Sequence, residues 1–254
     1  VTTELEFHDL MGFTHDEVKA LLERGSELSD EARRSIFAEL AEWYDGYRFA
    51  PEQSRLFNPD MVLYYVTNCQ ADGGPPTRML DTNVASDYRT IERTVKLAAQ
   101  PGYALLDEVL DHGALSVLLT EQYSLTRGFH RDDIASLLFY LGLLTVARAE
   151  LEGLRLHVPN RVIGELFWDT VRVLRSDRFG FEVDPSEIRS AVVELARAGD
   201  LAPLADLVEQ YFAALLSNRD LRGFRESELK IAFLMLVHAP RIYMVQSETE
   251  VERG

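Results

Sequence analysis

Residues 42–49 read EWYDGYRF, with four aromatic side chains crowded around Gly46. Ahead of them, Ile36, Phe37, Leu40, Trp43 and Tyr44 recur at helical spacing, so the stretch is read as the end of an amphipathic helix. Asp45 and Gly46 would close that helix, because glycine accepts the left-handed backbone that ends one. Tyr47 and Phe49 would then fold back beneath Trp43 and Tyr44. Aromatic clusters at helix ends bury large apolar areas, which favours a structural anchor over a ligand-stacking cage. Asp45 can act as a cap or pair with Arg48.

Working outward, most of the chain has helical periodicity. Thr14 and Glu17 form a capping box ahead of Val18, Leu21 and Leu22, and Ser29 and Asp30 open the helix that leads into EWYDGYRF. Asn58 and Pro59 start another helix carrying Met61, Val62, Tyr65 and Val66. QADGGPP at 70–76 is a loop by composition, and 87–99 returns to a helical pattern. Leu115 to Leu119 fits either a short buried strand or a helical turn. Asp132 and Asp133 precede a helix with Ile134, Leu137, Leu138 and Leu141 on one face. Leu144 to Ala149 and Leu154 to Val158 flank a glycine turn as a hairpin, and Asn160 caps the next helix. Helix, hairpin, helix outlines a winged-helix-like module. Helices over Pro185 to Ala198, capped by Asp184, over Pro203 to Leu216 and over Glu226 to His238 follow, then a strand from Ile242 to Gln246.

Composition narrows the function. The 254 residues carry a net charge of −16, with lysine only at Lys19, Lys96 and Lys230, and such a surface repels phosphate backbones at long range. The single Cys69 excludes an internal disulfide or a cysteine-based zinc site and fits a cytoplasmic, reducing home. The longest apolar run, Ile231 to Val237, is far short of the ~20 residues that span a bilayer, so no membrane partner is expected.

The search for catalytic chemistry finds little. No Gly-Lys pair is present to hold a triphosphate as a P-loop does. His8, His15, His112, His130, His157 and His238 are scattered without metal-ligand spacing and read as surface or cap residues, and no GxSxG elbow or triad appears. Glu17-Val18-Lys19 and Glu228-Leu229-Lys230 each spell E-x-K, which magnesium-dependent nucleases place on a strand so that both side chains point the same way. Both copies fall in helical patterns here and are read as coincidence. Arg127, Arg131, Arg148, Arg155 and Arg161 gather near the hairpin and are the candidates for a nucleic-acid contact, although the apolar 134–144 segment is a poor groove-reading helix.

Five blocks then stand in a telling order: MGFTHDEVKALL from Met11, AEWYDGYRF from Ala41, LFNPDMVLYYV from Leu56, LLFYLGLLTV from Leu137 and HVPNRVIGELF from His157. Together they resemble a bacterial family of AAA-ATPase-like proteins fused to a PD-(D/E)XK nuclease-like domain. The resemblance implies a P-loop core upstream of the GFT block and a nuclease-like domain opening at ESELKIAFLMLV. Residues 1–112 would be a helical lid-like region, 113–180 the winged-helix-like module, 181–223 a helical linker, and 224–254 the first helix and strand of an incomplete nuclease-like domain. The fold expected is therefore mainly α, with an incomplete α/β part at the end. ATP and magnesium are implied for the whole family member, with no cofactor in this chain. Protein partners are implied first, and nucleic acid only through the missing nuclease-like portion. Glu228 matches the acidic residue on the nuclease's opening helix, which the resemblance implies can help bind magnesium. Glu226 is the competing match, and a solvated first-turn glutamate is the structural alternative. The reading is a non-catalytic fragment that couples nucleotide state to a nuclease or partner, against the alternative of a free-standing winged-helix DNA- or protein-binding module.

Overall fold

The computed structural model describes residues 5–24, 28–81, 95–96, 100–120, 130–179 and 184–217, together with 230, 233, 234, 236 and 237. The described residues are mainly helical, with short antiparallel strands in two small sheets. They divide into two compact units, Val1–Leu105 with Gly113–Leu166, and Leu106–His112 with Phe167–Gly254. Among the described residues no helix is long and apolar enough to cross a membrane.

In the first unit, α1 (His15–Arg24) starts at the expected capping box. Thr14 N–H and its hydroxyl donate to Glu17 Oε2 at 2.8 and 2.9 Å, and Glu17 N–H donates back to Thr14 Oγ1 at 3.2 Å. Ser29 Oγ accepts from Ala32 N–H at 3.2 Å to open α2 (Asp30–Tyr44). β1 (Asp45–Tyr47) follows directly and pairs antiparallel with β2 (Leu56–Phe57), which also bridges to Phe13. Asn58 Oδ1 then caps α3 (Pro59–Asp72) through Met61 N–H at 3.2 Å. The helix continues through Gln70 to Asp72, so the loop expected from 70 begins three residues later, where the capping glycine falls. Leu40, Tyr44, Leu56, Phe57, Met61, Val62 and Tyr65 form the buried interior, and each such side chain contributes about 1.5–3 kcal/mol by leaving water.

The rest of this unit is built on a three-stranded sheet. After α4 (Gln100–His112), β3 (Ala114–Val117) is a strand, which settles the ambiguity at 115–119. Following α5 (Arg131–Tyr140), β4 (Thr145–Ala149) and β5 (Leu154–His157) make the expected hairpin, and β5 lies between β3 and β4. Leu141 departs from the expected apolar face of α5: it is 40% exposed, because the helix ends at Tyr140 and the chain turns at Gly142. α6 (Arg161–Phe179) follows β5 and belongs to the second unit from Phe167 onward.

In the second unit, α7 (Pro185–Ala198) opens at Asp184, whose Oδ1 accepts from Ser186 N–H at 2.8 Å, and α8 (Ala202–Ser217) packs against it. Ile188, Ala191, Val192, Leu204, Tyr211 and Leu236 share one core. Leu236 belongs to the helix expected over 226–238, whose described members Lys230, Phe233, Leu234, Leu236 and Val237 are helical. Of the helix expected over 87–99, Val95 and Lys96 are described, and both are helical. The remainder of those two helices and the strand expected at 242–246 lie outside the described residues.

Candidate functional site

The anchor reading of EWYDGYRF holds for Tyr44, Tyr47 and Phe49, which are 0%, 4% and 6% exposed. Tyr44 Oη donates to Met79 O at 2.7 Å, and burial pushes its phenol well above the usual range. The Tyr47 and Phe49 rings stack at 6.1 Å.

Three expectations for this stretch are corrected. Gly46 does not close the helix: Tyr44 passes straight into β1, and Gly46 has φ +133, outside the left-handed helical well. Its requirement is one of space, because a Cβ there would stand 1.9 Å from Pro159 O. Trp43 is only partly buried, since its ring forms a platform for the Arg161 guanidinium, 3.9 Å from the ring centroid. Arg161 also pairs with Glu42, so the neighbours Glu42 and Trp43 hold one cation between them. Asp45 stands at the C-cap of α2, as expected, but its carboxylate pairs with His15 at 3.3 Å rather than with Arg48. Burial raises the Asp45 carboxyl above its usual value, and the nearby His15 and Arg55 charges pull it back.

Arg48 serves the sheet instead. Its N–H donates to Thr145 Oγ1 at 2.6 Å, and its carbonyl accepts from the same hydroxyl at 2.6 Å and from Val146 N–H at 2.9 Å. Its guanidinium reaches Ala147 O at 3.0 Å. Thr145 is fully buried, so its hydroxyl has no water to fall back on. A second fastening comes from Asn160, whose Oδ1 caps α6 through Ile163 N–H at 3.1 Å while its Nδ2 donates to Tyr44 O at 3.3 Å. One side chain thus begins α6 and satisfies a carbonyl at the end of α2. Residues 42–48 are in this way locked to 145–147 and 159–161 as a single junction.

Three histidines, His8, His15 and His157, depart from the surface-or-cap reading. His8 is 4% exposed, with Nε2 2.8 Å from Ser54 O, and His15 packs its ring edge-on against Phe57 at 5.0 Å. His130 holds the N-cap position of α5, as expected, and its N–H donates to Asp133 Oδ2 at 3.0 Å. His157, at the end of β5, is pushed down to about 4 by burial, with Arg55 and Arg48 adding repulsion to a protonated ring.

Of the E-x-K pairs, Glu17 and Lys19 lie on α1, where Glu17 belongs to the capping box and Lys19 to Asp16 at 3.5 Å. Glu228 and Glu226 lie outside the described residues. Among the described residues no group of three or more His, Cys, Asp or Glu side chains is placed to hold a metal.

The arginines proposed for nucleic acid are engaged by acids. Arg148 and Arg155 converge on Glu150 at 3.5 and 3.7 Å, Arg131 pairs with Asp132 at 2.9 Å, and Arg161 with Glu42. Arg127 lies outside the described residues. On α5, Asp133, Ile134, Ala135, Ser136, Leu138 and Phe139 are all buried, which leaves little helix surface to enter a groove.

The sequence pointed to Asn160 as a cap and to the aromatic anchor, but carried no signal for the Arg48–Thr145 pair or for the second bond of Asn160. Their partners lie 97 and 116 positions away. No family model, no curated protein and no solved structure matches this chain.

Proposed function

We propose that this chain is a non-catalytic coupling part of an AAA-ATPase-like protein that also carries a PD-(D/E)XK nuclease-like domain. In this reading it is cytoplasmic, and residues 1–112 and 113–180 are the lid-like and winged-helix-like parts that pass nucleotide state toward 181–223 and the start of the nuclease-like domain at 224–254. ATP and magnesium act elsewhere in the protein, and Glu228 contributes only once the nuclease-like strands are present.

One observation carries the reading. Three of the five blocks behind the resemblance, 41–49, 137–146 and 157–167, are those that meet in the junction, through Arg48 with Thr145, Gly46 against Pro159, and Tyr44 with Asn160. A part that transmits displacement must be stiff between where motion enters and where it leaves, and buried hydrogen bonds between distant backbone segments supply that stiffness. The test is calorimetry with magnesium-ATP on this polypeptide and hydrolysis by the gene's complete product. No heat is expected from the former, with ATP turnover in the latter that Asn160→Ala uncouples from the partner's response. Tight stoichiometric ATP uptake by the chain alone would overturn the assignment.

The alternative of a free-standing winged-helix binder favours protein over DNA as its ligand, because the hairpin arginines already face glutamate and aspartate and α5 is buried. Fluorescence anisotropy with a labelled DNA duplex at low salt is expected to show no binding. Salt-sensitive binding would put the DNA-binding module first. Incubation with DNA and magnesium is expected to leave the duplex intact, and cleavage abolished by Glu228→Ala would make the chain a nuclease.

A further inference from the structure

Strand register brings three basic residues to one corner of the first unit. Tyr47 and Leu56 are the last pair of the β1–β2 hairpin, so Arg48 and Arg55 are the residues that step outward from it together. Arg48 is bonded through its backbone to the Thr145 hydroxyl, and Thr145 stands opposite His157 in the β4–β5 pairing. Like charges that face one another across adjacent strands are destabilising unless something neutralises them.

Among the described residues no acid pairs with either arginine. The Arg48 guanidinium donates from Nη1 to Ala147 O at 3.0 Å, and its Nε is buried without a hydrogen-bond partner. A carbonyl fixes the position of this cation and leaves its charge uncompensated. Arg55 is exposed, with no hydrogen bond or ion pair among the described residues. Asp45 feels the Arg55 charge, but its Oδ2 is given to His15 at 3.3 Å. Glu52, in the turn between the two arginines, is exposed and forms no ion pair among the described residues. His157 feels both guanidinium groups, which add to burial in holding its ring neutral. Arg131, Arg148 and Arg155 differ from this pair, since each has an acid at 2.9–3.7 Å.

We propose that Arg48, Arg55 and His157 form a binding site for a tetrahedral oxyanion of the phosphate class. Arg55, and the N–H groups of Arg48 that Ala147 does not engage, supply the planar donor geometry that such oxygens accept. Arg48 is already held in place, so less ordering remains to be done on binding. His157 joins as a third donor when protonated. An anion beside the ring favours its charged form, and the same coupling makes the anion bind more tightly as pH falls. The corner is open at Arg55, so affinity for inorganic phosphate is on the order of millimolar. Magnesium-ATP, whose phosphates the metal already neutralises, is no better a ligand.

NMR of the whole chain at low ionic strength, titrated with inorganic phosphate near neutral pH, reads the site through the amides of 45–57 and 145–157. Saturable shifts are expected, and sodium chloride at matched ionic strength should not reproduce them. Arg55→Gln, an exposed position checked for native circular dichroism, should weaken phosphate binding at least about tenfold, while Arg197→Gln, which removes an exposed cation from α7, should leave it unchanged. The His157 ring, titrated in sulfate, which stays dianionic through the range, should protonate at a midpoint about one pH unit or more above that in chloride. This measurement on wild type decides the matter even if Arg55→Gln fails to fold. Phenyl phosphate run alongside separates the sources: equal strength assigns the free ion, and greater strength a small phosphate ester. The proposal falls if chloride matches phosphate, if folded Arg55→Gln binds as wild type does, if Arg197→Gln weakens binding as much, or if the His157 midpoint is the same in sulfate and chloride.

Discussion

The helical pair α7–α8 and the junction around Gly46 are each held by hydrogen bonds and buried apolar side chains, but over very different lengths of chain. In the pair, Tyr211 Oη accepts from Asp184 N–H across 27 positions, and all of the shared core but Leu236 comes from two helices joined through a short turn at Gly199. In the junction, Asn160 reaches Tyr44 across 116 positions, and Arg48 reaches Thr145 across 97. Short-range closure costs little chain entropy and follows from local propensity. Long-range closure must be repaid by specific contacts, and those contacts tolerate little change.

Two glycines make the contrast sharpest. Gly46→Ala should be strongly destabilising, losing about 4 kcal/mol or more, because a methyl 1.9 Å from a backbone carbonyl forces β1 and the Pro159 segment apart. Gly199 also has a positive φ, +69, but nothing lies within 4 Å of an added Cβ, so Gly199→Ala should cost only about 1 kcal/mol of left-handed backbone strain. Urea unfolding with hydrogen exchange, read separately on peptides from 45–57 and 185–198, measures both. Equal losses at the two positions would erase the distinction drawn here.

Next in size is Thr145→Val, which keeps the side-chain shape and deletes the hydroxyl. The Arg48 N–H is then left buried without its acceptor, while the Arg48 carbonyl keeps Val146, for an expected loss of about 2–3 kcal/mol. A smaller effect comes from His157. Its folded value of about 4 lies below the ordinary 6.5, so the unfolded chain takes up the proton first as pH falls. The stability tied to the neutral ring is fully present above about pH 6.5 and is lost progressively between there and about pH 4, amounting to roughly 2 kcal/mol after allowance for partial exposure. His157→Gln should flatten that part of the stability-versus-pH curve. Smallest in the junction is Asn160→Ala, which removes a helix cap and one bond to Tyr44 for about 1–2 kcal/mol. A loss well above that range would mean that Tyr44 O, rather than the cap, sets the strength of the fastening.

Legibility follows the same division. Thr14 with Glu17, Ser29, Asn58, Asn160 and Asp184 all act as caps where their sequence context predicts them, because a capping side chain bonds to an N–H two or three residues away. The hairpin was legible for a similar reason: branched residues flank a glycine turn. Trp43 was misread because helical spacing alone put it on the buried face, whereas Arg161 gives its ring a cationic partner at the surface. Gly46 was misread because a glycine after a helix usually signals a cap, and nothing near it in the sequence announces Pro159. His8 and the pairing of Asp45 with His15 were hidden likewise, since each depends on a segment folded back from elsewhere.

The amino-acid sequence by itself determined where helices and hairpin begin, which faces are apolar, the acidic character of the surface and the aromatic weight of residues 42–49, since all of these arise from interactions between near neighbours or from composition. Tertiary structure alone decided that Gly46 is a point of contact rather than a cap, that Arg48 belongs to Thr145, that the hairpin arginines are spent on glutamate and aspartate, and that His157 resists protonation. Each of those depends on the surroundings that distant segments build, and burial, charge and room for a methyl group are properties of those surroundings.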